Sequence, residues 1–212
     1  GLPLGLQMAL EVAVFSLAAV FMGRIGARAL AAHQVAIQCA STTFNGMVGL
    51  GSAASVVVGR RIGARDPRGA LRAGLTALGL SMLAMAATGA LFLFGGTFLA
   101  RLLTDSPDVV DAAATLLAVA AAFQVSDGLQ AVASGALRGA GDTRATFVIH
   151  LVSHWAIGMP CVVVLARMWG ATGVWWGLTI ALTAAAAALV TRFVVKARRG
   201  YDPLSIAAHG GV

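Results

Sequence analysis

The stretch Ala73–Ala100, AGLTALGLSMLAMAATGALFLFGGTFLA, carries no charged residue. About 20 apolar residues suffice for a helix to cross the hydrocarbon core of a bilayer. Five further stretches are uncharged or nearly so: Leu2–Gly23, Ala29–Gly59, Ala112–Leu137, Ala145–Ala166 and Ala171–Thr191. A soluble domain carries about 25% charged residues, whereas this chain of 212 residues has 11% charged and 59% apolar, with mean hydropathy +0.88. The expected fold class is therefore all-α, a polytopic membrane bundle of six transmembrane helices. Ala29–Gly59 is too long for one helix standing perpendicular to the membrane. A tilt or bend is expected there, marked by Gly46, Gly49 and Gly51.

The formal charge of +7 and a pI near 11.3 could point to nucleic acid. The placement of the charges points elsewhere, because basic residues lie between apolar stretches and not in a patch interleaved with aromatics. Arg60, Arg61, Arg65, Arg68 and Arg72 follow the second stretch, against Asp66 alone. Arg101 with Asp105, Asp108 and Asp111 follows the third; Arg138 and Arg144 flank Asp142 after the fourth; Arg192, Lys196, Arg198 and Arg199 follow the sixth. Under the positive-inside rule, the loops after spans two, four and six are cytoplasmic, as are both ends. Two parts are expected: a six-helix transmembrane lobe over residues 1–191 and a basic cytoplasmic tail over 192–212. No signal-peptide pattern opens the chain, and Cys39 and Cys161, both inside apolar runs, read as buried unpaired thiols.

Two carboxylates, Glu11 and Asp127, lie within spans. A charge at mid-membrane costs about 2.5 to 3.5 kcal/mol even on the lenient insertion scale, which makes such residues functional candidates. At about 1.5 Å per residue, Glu11 lies roughly 14 Å from the cytoplasmic start of span one and Asp127 roughly 15 Å from the cytoplasmic end of span four. The chain directions are opposite, so both reach one depth near the midplane. Gln7 precedes Glu11 by one turn; Gln124, Gln130 and Ser134 flank Asp127; span two carries Gln34, Gln38, Ser41 and Asn45 at helical spacing; span six carries Thr172, Thr179 and Thr183 with Trp176. Lipid does not tolerate such faces, so four helices are expected to turn polar sides into a wet cavity.

His150 and His154 stand one turn apart on span five. A metal pair uses that spacing, but the intervening Leu151-Val152-Ser153 lacks the Glu of a zinc-hydrolase helix, and the pair reads as cavity-lining or hydrogen-bonding. Gly135/Gly139 and Gly173/Gly177 have the small-xxx-small spacing of close helix packing. Pro160 marks a kink in span five.

Several segments taken together are similar to the second half of a multidrug and toxic compound extrusion (MATE) transporter. They are the opening Gly1-Leu-Pro with Glu11, Leu30-Ala-Ala-His-Gln34, Val58-Gly-Arg-Arg-Ile-Gly-Ala64, Asp127-Gly-Leu-Gln130 and Ser134-Gly-Ala-Leu-Arg-Gly-Ala-Gly-Asp-Thr143. The resemblance covers the chain up to the basic tail. It implies the C-terminal half of a twelve-helix antiporter in a bacterial inner membrane, exporting organic, often cationic, drugs against inward Na⁺ or H⁺, with no cofactor. It also implies an N-terminal six-helix lobe as partner, from the same full-length chain or from a second copy. In the NorM-like branch, Glu11 and Asp127 match the acidic positions implicated in coupling-cation binding, with Na⁺ as the possible metal. Gln7, Gln34, Gln38, Asn45, Gln124, Ser134, His154 and Trp176 are the expected cavity-lining or substrate-lining residues, and Gln34, Gln38 and Gln124 the expected polar neighbours of the carboxylates.

Two other classes fit parts of the sequence. Gly139-Ala-Gly-Asp142 matches the GxGD pattern of intramembrane aspartyl proteases, with Asp127 as a second aspartate. Asp142, however, falls in an arginine-flanked loop, and both aspartates follow one helix. A lipid-linked sugar flippase of the same superfamily would need a more cationic cavity to hold pyrophosphate, and no Lys or Arg lies mid-span.

Overall fold

A computed structural model describes residues 2–199, apart from the side chains of residues 2–4, 7 and 8. Among the described residues the secondary structure is entirely helical. The helices are α1 (Leu2–Ile25), α2 (Ala27–Gly63), α3 (Pro67–Arg101), α4 (Pro107–Gly139) and α5 (Thr143–Leu151), which passes through a π-helical turn (Val152–Gly158) into α6 (Met159–Arg198). Three runs are long and apolar enough to cross a membrane: Pro67–Arg101, Pro107–Gly139 and Thr143–Arg198.

Local chemistry sets the boundaries. Asp66 caps α3 by accepting the Gly69 N–H at 2.8 Å, and Pro67 opens the helix where a missing N–H costs nothing. Pro107 opens α4 in the same way. Gly170, at φ 58° and ψ −132°, breaks α6 in a conformation that suits glycine. The chain then doubles back, so that Gly177 lies on Val162 and Gly158 on Ala181. The arms 159–169 and 171–198 thus run antiparallel, and Gly173 and Gly177 let their backbones touch, as their spacing predicts.

α2 is one continuous helix of 37 residues through Gly46, Gly49 and Gly51, the length for which a tilt or bend is expected. Gly51 serves the crossing with α4: a methyl group built on it would stand 2.8 Å from the Ala131 carbonyl oxygen, while Gly135 and Gly139 lie against the backbones of Gly51 and Ser55. Directly before Pro160, where a kink is expected, the helix widens into the π-helical turn, in which the Met159 N–H reaches back to the His154 carbonyl. The basic residues after 191 extend α6 to Arg198 rather than begin a tail; residues 200–212 lie outside the described residues.

Helix α4 is the hub of the side-chain hydrogen bonds. Gln124 Nε2 donates to Thr43 Oγ1 on α2 and Thr88 Oγ1 on α3, both at 3.0 Å. Ser126 pairs with Thr183 on α6 at 3.1 Å, Ser134 with His150 on α5 at 2.9 Å, and Gln130 reaches Glu11 on α1. Around these bonds the packing is apolar. Trp175 is fully buried, stacks on Phe123 at 5.7 Å and meets the edge of His33 at 5.6 Å.

Candidate functional site

Helices α1, α2 and α4 enclose a cavity of about 410 Å³. Phe15, Ile37, Phe44 and Phe123 are among its apolar lining, and Glu11, His33, Gln34, Ser41 and Asp127 are among its polar lining. α4 crosses α2 closely through the glycines described above, and α1 lies alongside. The tenth residue of one helix and the twenty-first of another thereby face one space.

Gln130 joins the two carboxylates. Its Nε2 lies 3.3 Å from Glu11 Oε1 and 3.1 Å from Asp127 Oδ1. Asp127 and Gln130 are buried, Glu11 is half-buried, and Gln130 Oε1 has no hydrogen-bond partner. Among the described residues neither carboxylate forms an ion pair. Arg138, two turns beyond Gln130 on α4 and half-buried, acts on Glu11 at electrostatic range only. A single neutral amide therefore bridges two acids in a low-dielectric space. An ionised pair held this way repels itself, and a proton or a hard metal cation relieves the repulsion. Carboxylate and amide oxygens are the donor set that such a cation takes. Among the described residues no three His, Cys, Asp or Glu side chains converge, so a metal ion would complete its shell with amide, hydroxyl, backbone or water oxygens.

The other expected lining residues divide. Gln34 lines the cavity with the carboxylates. Gln38 and Asn45, exposed like Gln34 on the same α2 stripe, do not line it. Gln124 is not a neighbour of the pair; it is spent on tying α4 to α2 and α3. Ser134 and His154 lie outside this cavity, in a buried cluster with His150. Trp176 is 39% exposed and also stands outside. The Gln7 side chain falls outside the described residues. Span six contributes no wall, because Thr179 and Thr172 bond back to the carbonyls of Trp175 and Trp169 and so satisfy themselves within the helix. The sequence puts Gln130 on the polar stripe beside Asp127 but does not show it between the acids. Its position three residues after Asp127, on the same helix face, was the available signal.

Asp142 has a different environment. Its Oδ2 accepts Arg192 Nε and Nη2 at 3.0 Å each and Lys196 Nζ at 3.2 Å. A carboxylate clamped by two cations is a poor match for one half of a catalytic aspartate pair.

Comparison with known proteins identifies the family. The MatE family model matches residues 3–164. The chain belongs to the MatE family. It is 41% identical over 206 residues to the probable multidrug resistance protein NorM of Pseudomonas aeruginosa, covering 94% of this chain and 42% of that protein. It is 42% identical over 200 residues to the protein of the same description from Brucella suis, covering 91% and 42%. The fold matches the crystal structure of the eukaryotic MATE transporter AtDTX14 with a TM-score of 0.84 at 23% identity, over 94% of this chain and 46% of that one. A MOP superfamily transporter from Pyrococcus furiosus matches with a TM-score of 0.78 at 20% identity, over 100% and 47%. The chain thus spans about half the length of the curated relatives it matches. These MatE relatives are transporters and not enzymes, which sets the protease reading aside; they do not favour the sugar flippase either.

Proposed function

We propose that this chain is the C-terminal, six-span half of a NorM-type multidrug efflux antiporter, and that Glu11 and Asp127 bind its coupling cation, Na⁺ or H⁺. The bridging of the two acids by Gln130 inside a cavity is the observation that carries the reading. The half-length match supports the view that a second six-helix lobe completes the transporter. The six helical arms and the alternating loop charges support six spans with both ends in the cytoplasm of a bacterial inner membrane. The exposed stripe of Gln38 and Asn45 suits a face that the other lobe covers. Cation binding relieves the repulsion between the acids and stabilises one arrangement of the bundle. An organic, often cationic, drug stabilises the other, and coupling is the difference between the two.

Drug efflux by the full-length transporter in proteoliposomes tests the reading. Glu11→Gln and Asp127→Asn should each abolish cation-driven efflux while the protein still inserts and folds. The amides keep the shape of the acids and remove the charge. Full efflux by the double variant would sink the mechanism and spare the fold. Orientation is tested separately: a cysteine at position 66 should be labelled only from the cytoplasmic side.

A further inference from the structure

One turn beyond Gln130 on the same face of α4, the Ser134 hydroxyl lies 2.9 Å from His150 Nε2. Among the described residues this is the only side-chain hydrogen bond joining α4 to α5. Ser134 is 2% exposed and His150 5%. The His150 ring is held in turn by His154, whose ring stacks on it at 5.5 Å with 12° between the planes. His154 Nδ1 lies 3.1 Å from the His150 carbonyl oxygen. A carbonyl oxygen only accepts, so Nδ1 carries the hydrogen. The His154 tautomer, and with it the ring's orientation, is therefore fixed from within its own helix. His154 sits in the π-helical turn, where the widened backbone brings the ring over its neighbour one turn earlier. Neither ring lines the carboxylate cavity, so the cluster has no part in cation binding as derived above.

We propose that His150 and Ser134 are positioning residues for the carboxylate pair. Their bond fixes the turn of α4 that presents Gln130 to Glu11 and Asp127, and His154 braces it from behind. Gln130 and Ser134 are four residues apart on one helix, so any rotation or slide of α4 that loosens one displaces the other. Losing the bond frees the amide to leave one acid, and the pair then meets the cation in several geometries rather than one. Apparent affinity for the driving cation falls while maximal turnover is retained. The charged or titratable groups facing His150 are His154 beside it and Arg138 on α4, with Glu11 and Asp127 beyond Gln130. The proposal requires no change in the charge of any of them.

The inference rests on the cation-site reading and is tested apart from it. In the full-length transporter reconstituted in proteoliposomes, efflux is measured at saturating drug against a graded Na⁺ gradient and, separately, a graded proton gradient. The readout is the cation level giving half-maximal rate. His150→Leu and Ser134→Ala should each raise that level about five-fold, as the loss of one buried hydrogen bond implies. The double variant should raise it no further. His150→Gln should restore it to within about two-fold, because its amide can take the place of the imidazole Nε2. Unchanged half-saturation in His150→Leu and Ser134→Ala, or a fall in maximal rate alone, overturns the positioning role. If His150→Leu does not fold, the proposal stands or falls on Ser134→Ala and His150→Gln. Cation-driven efflux that survives in the Glu11→Gln/Asp127→Asn protein overturns the underlying site instead.

Discussion

Asp127, within α4, and Asp142, just past its C-terminal end, are 6% and 8% exposed, and they are satisfied in opposite ways. Asp142 has two cations and three short contacts, from Arg192 and Lys196. Asp127 has one neutral donor, the Gln130 amide NH₂, which it shares with a second acid. A buried charge that is fully paired is a fastener, since removing either side strands the other. A buried charge left with a single neutral donor keeps room for another ligand. Burial alone does not separate a site from a scaffold; the partner list does.

The same substitution at the two positions breaks the comparison most severely. Asp127→Asn should reduce cation-driven efflux to background with little change in melting temperature. Asp142→Asn should do the reverse, lowering stability by about 1–2 kcal/mol, because Asp142 is buried but water takes over part of the pairing of the half-exposed Arg192, while folded protein still couples. Thermal unfolding of purified protein beside proteoliposome efflux reads both. If Asp142→Asn uncouples transport at full stability, the two aspartates belong to one system.

A gentler cut sharpens the contrast. Lys196→Gln removes one of the three contacts to Asp142 and leaves Arg192 in place, so it should cost about 1 kcal/mol in the same unfolding measurement. The smallest effect is expected at Asp66, whose pair with Arg61 joins side chains 40% and 57% exposed. Asp66→Asn keeps the cap on α3 and should change stability by less than about 0.5 kcal/mol.

Much of this was legible in the sequence because it rests on what a membrane forbids. Glu11 and Asp127 stand out as charges inside apolar runs, and helix rise alone puts them at one depth. Gly135, Gly139, Gly173 and Gly177 announce close packing by spacing, and each lies against another backbone. What stayed hidden depends on side-chain choices among near-equal partners. Nothing in the sequence says that Gln130 bridges the acids while Gln124 turns to Thr43 and Thr88. The clamp on Asp142 closes over fifty residues of chain, and its cations read as an ordinary basic flank. The polar face of span six lines no part of the cavity: Thr172 and Thr179 satisfy themselves within the helix, and Thr183 pairs with Ser126. The widened turn before Pro160 has no sequence pattern of its own; proline marks where a ladder bond is missing, not how the backbone closes the gap.

The hub arrangement of α4 has a consequence for α1. Among the described residues, the Glu11–Gln130 bond is the only side-chain hydrogen bond from α1 to another helix. It is also one half of the bridge across the acids. A cation taken up between Glu11 and Asp127 competes for the oxygens that hold this tether. In the membrane, moreover, no hydrophobic force presses one apolar helix onto the next. On the cation-site proposal above, an ion held between the acids replaces the amide tether with its own bonds to α1 and α4, so occupancy of the pair sets how firmly the first helix is attached.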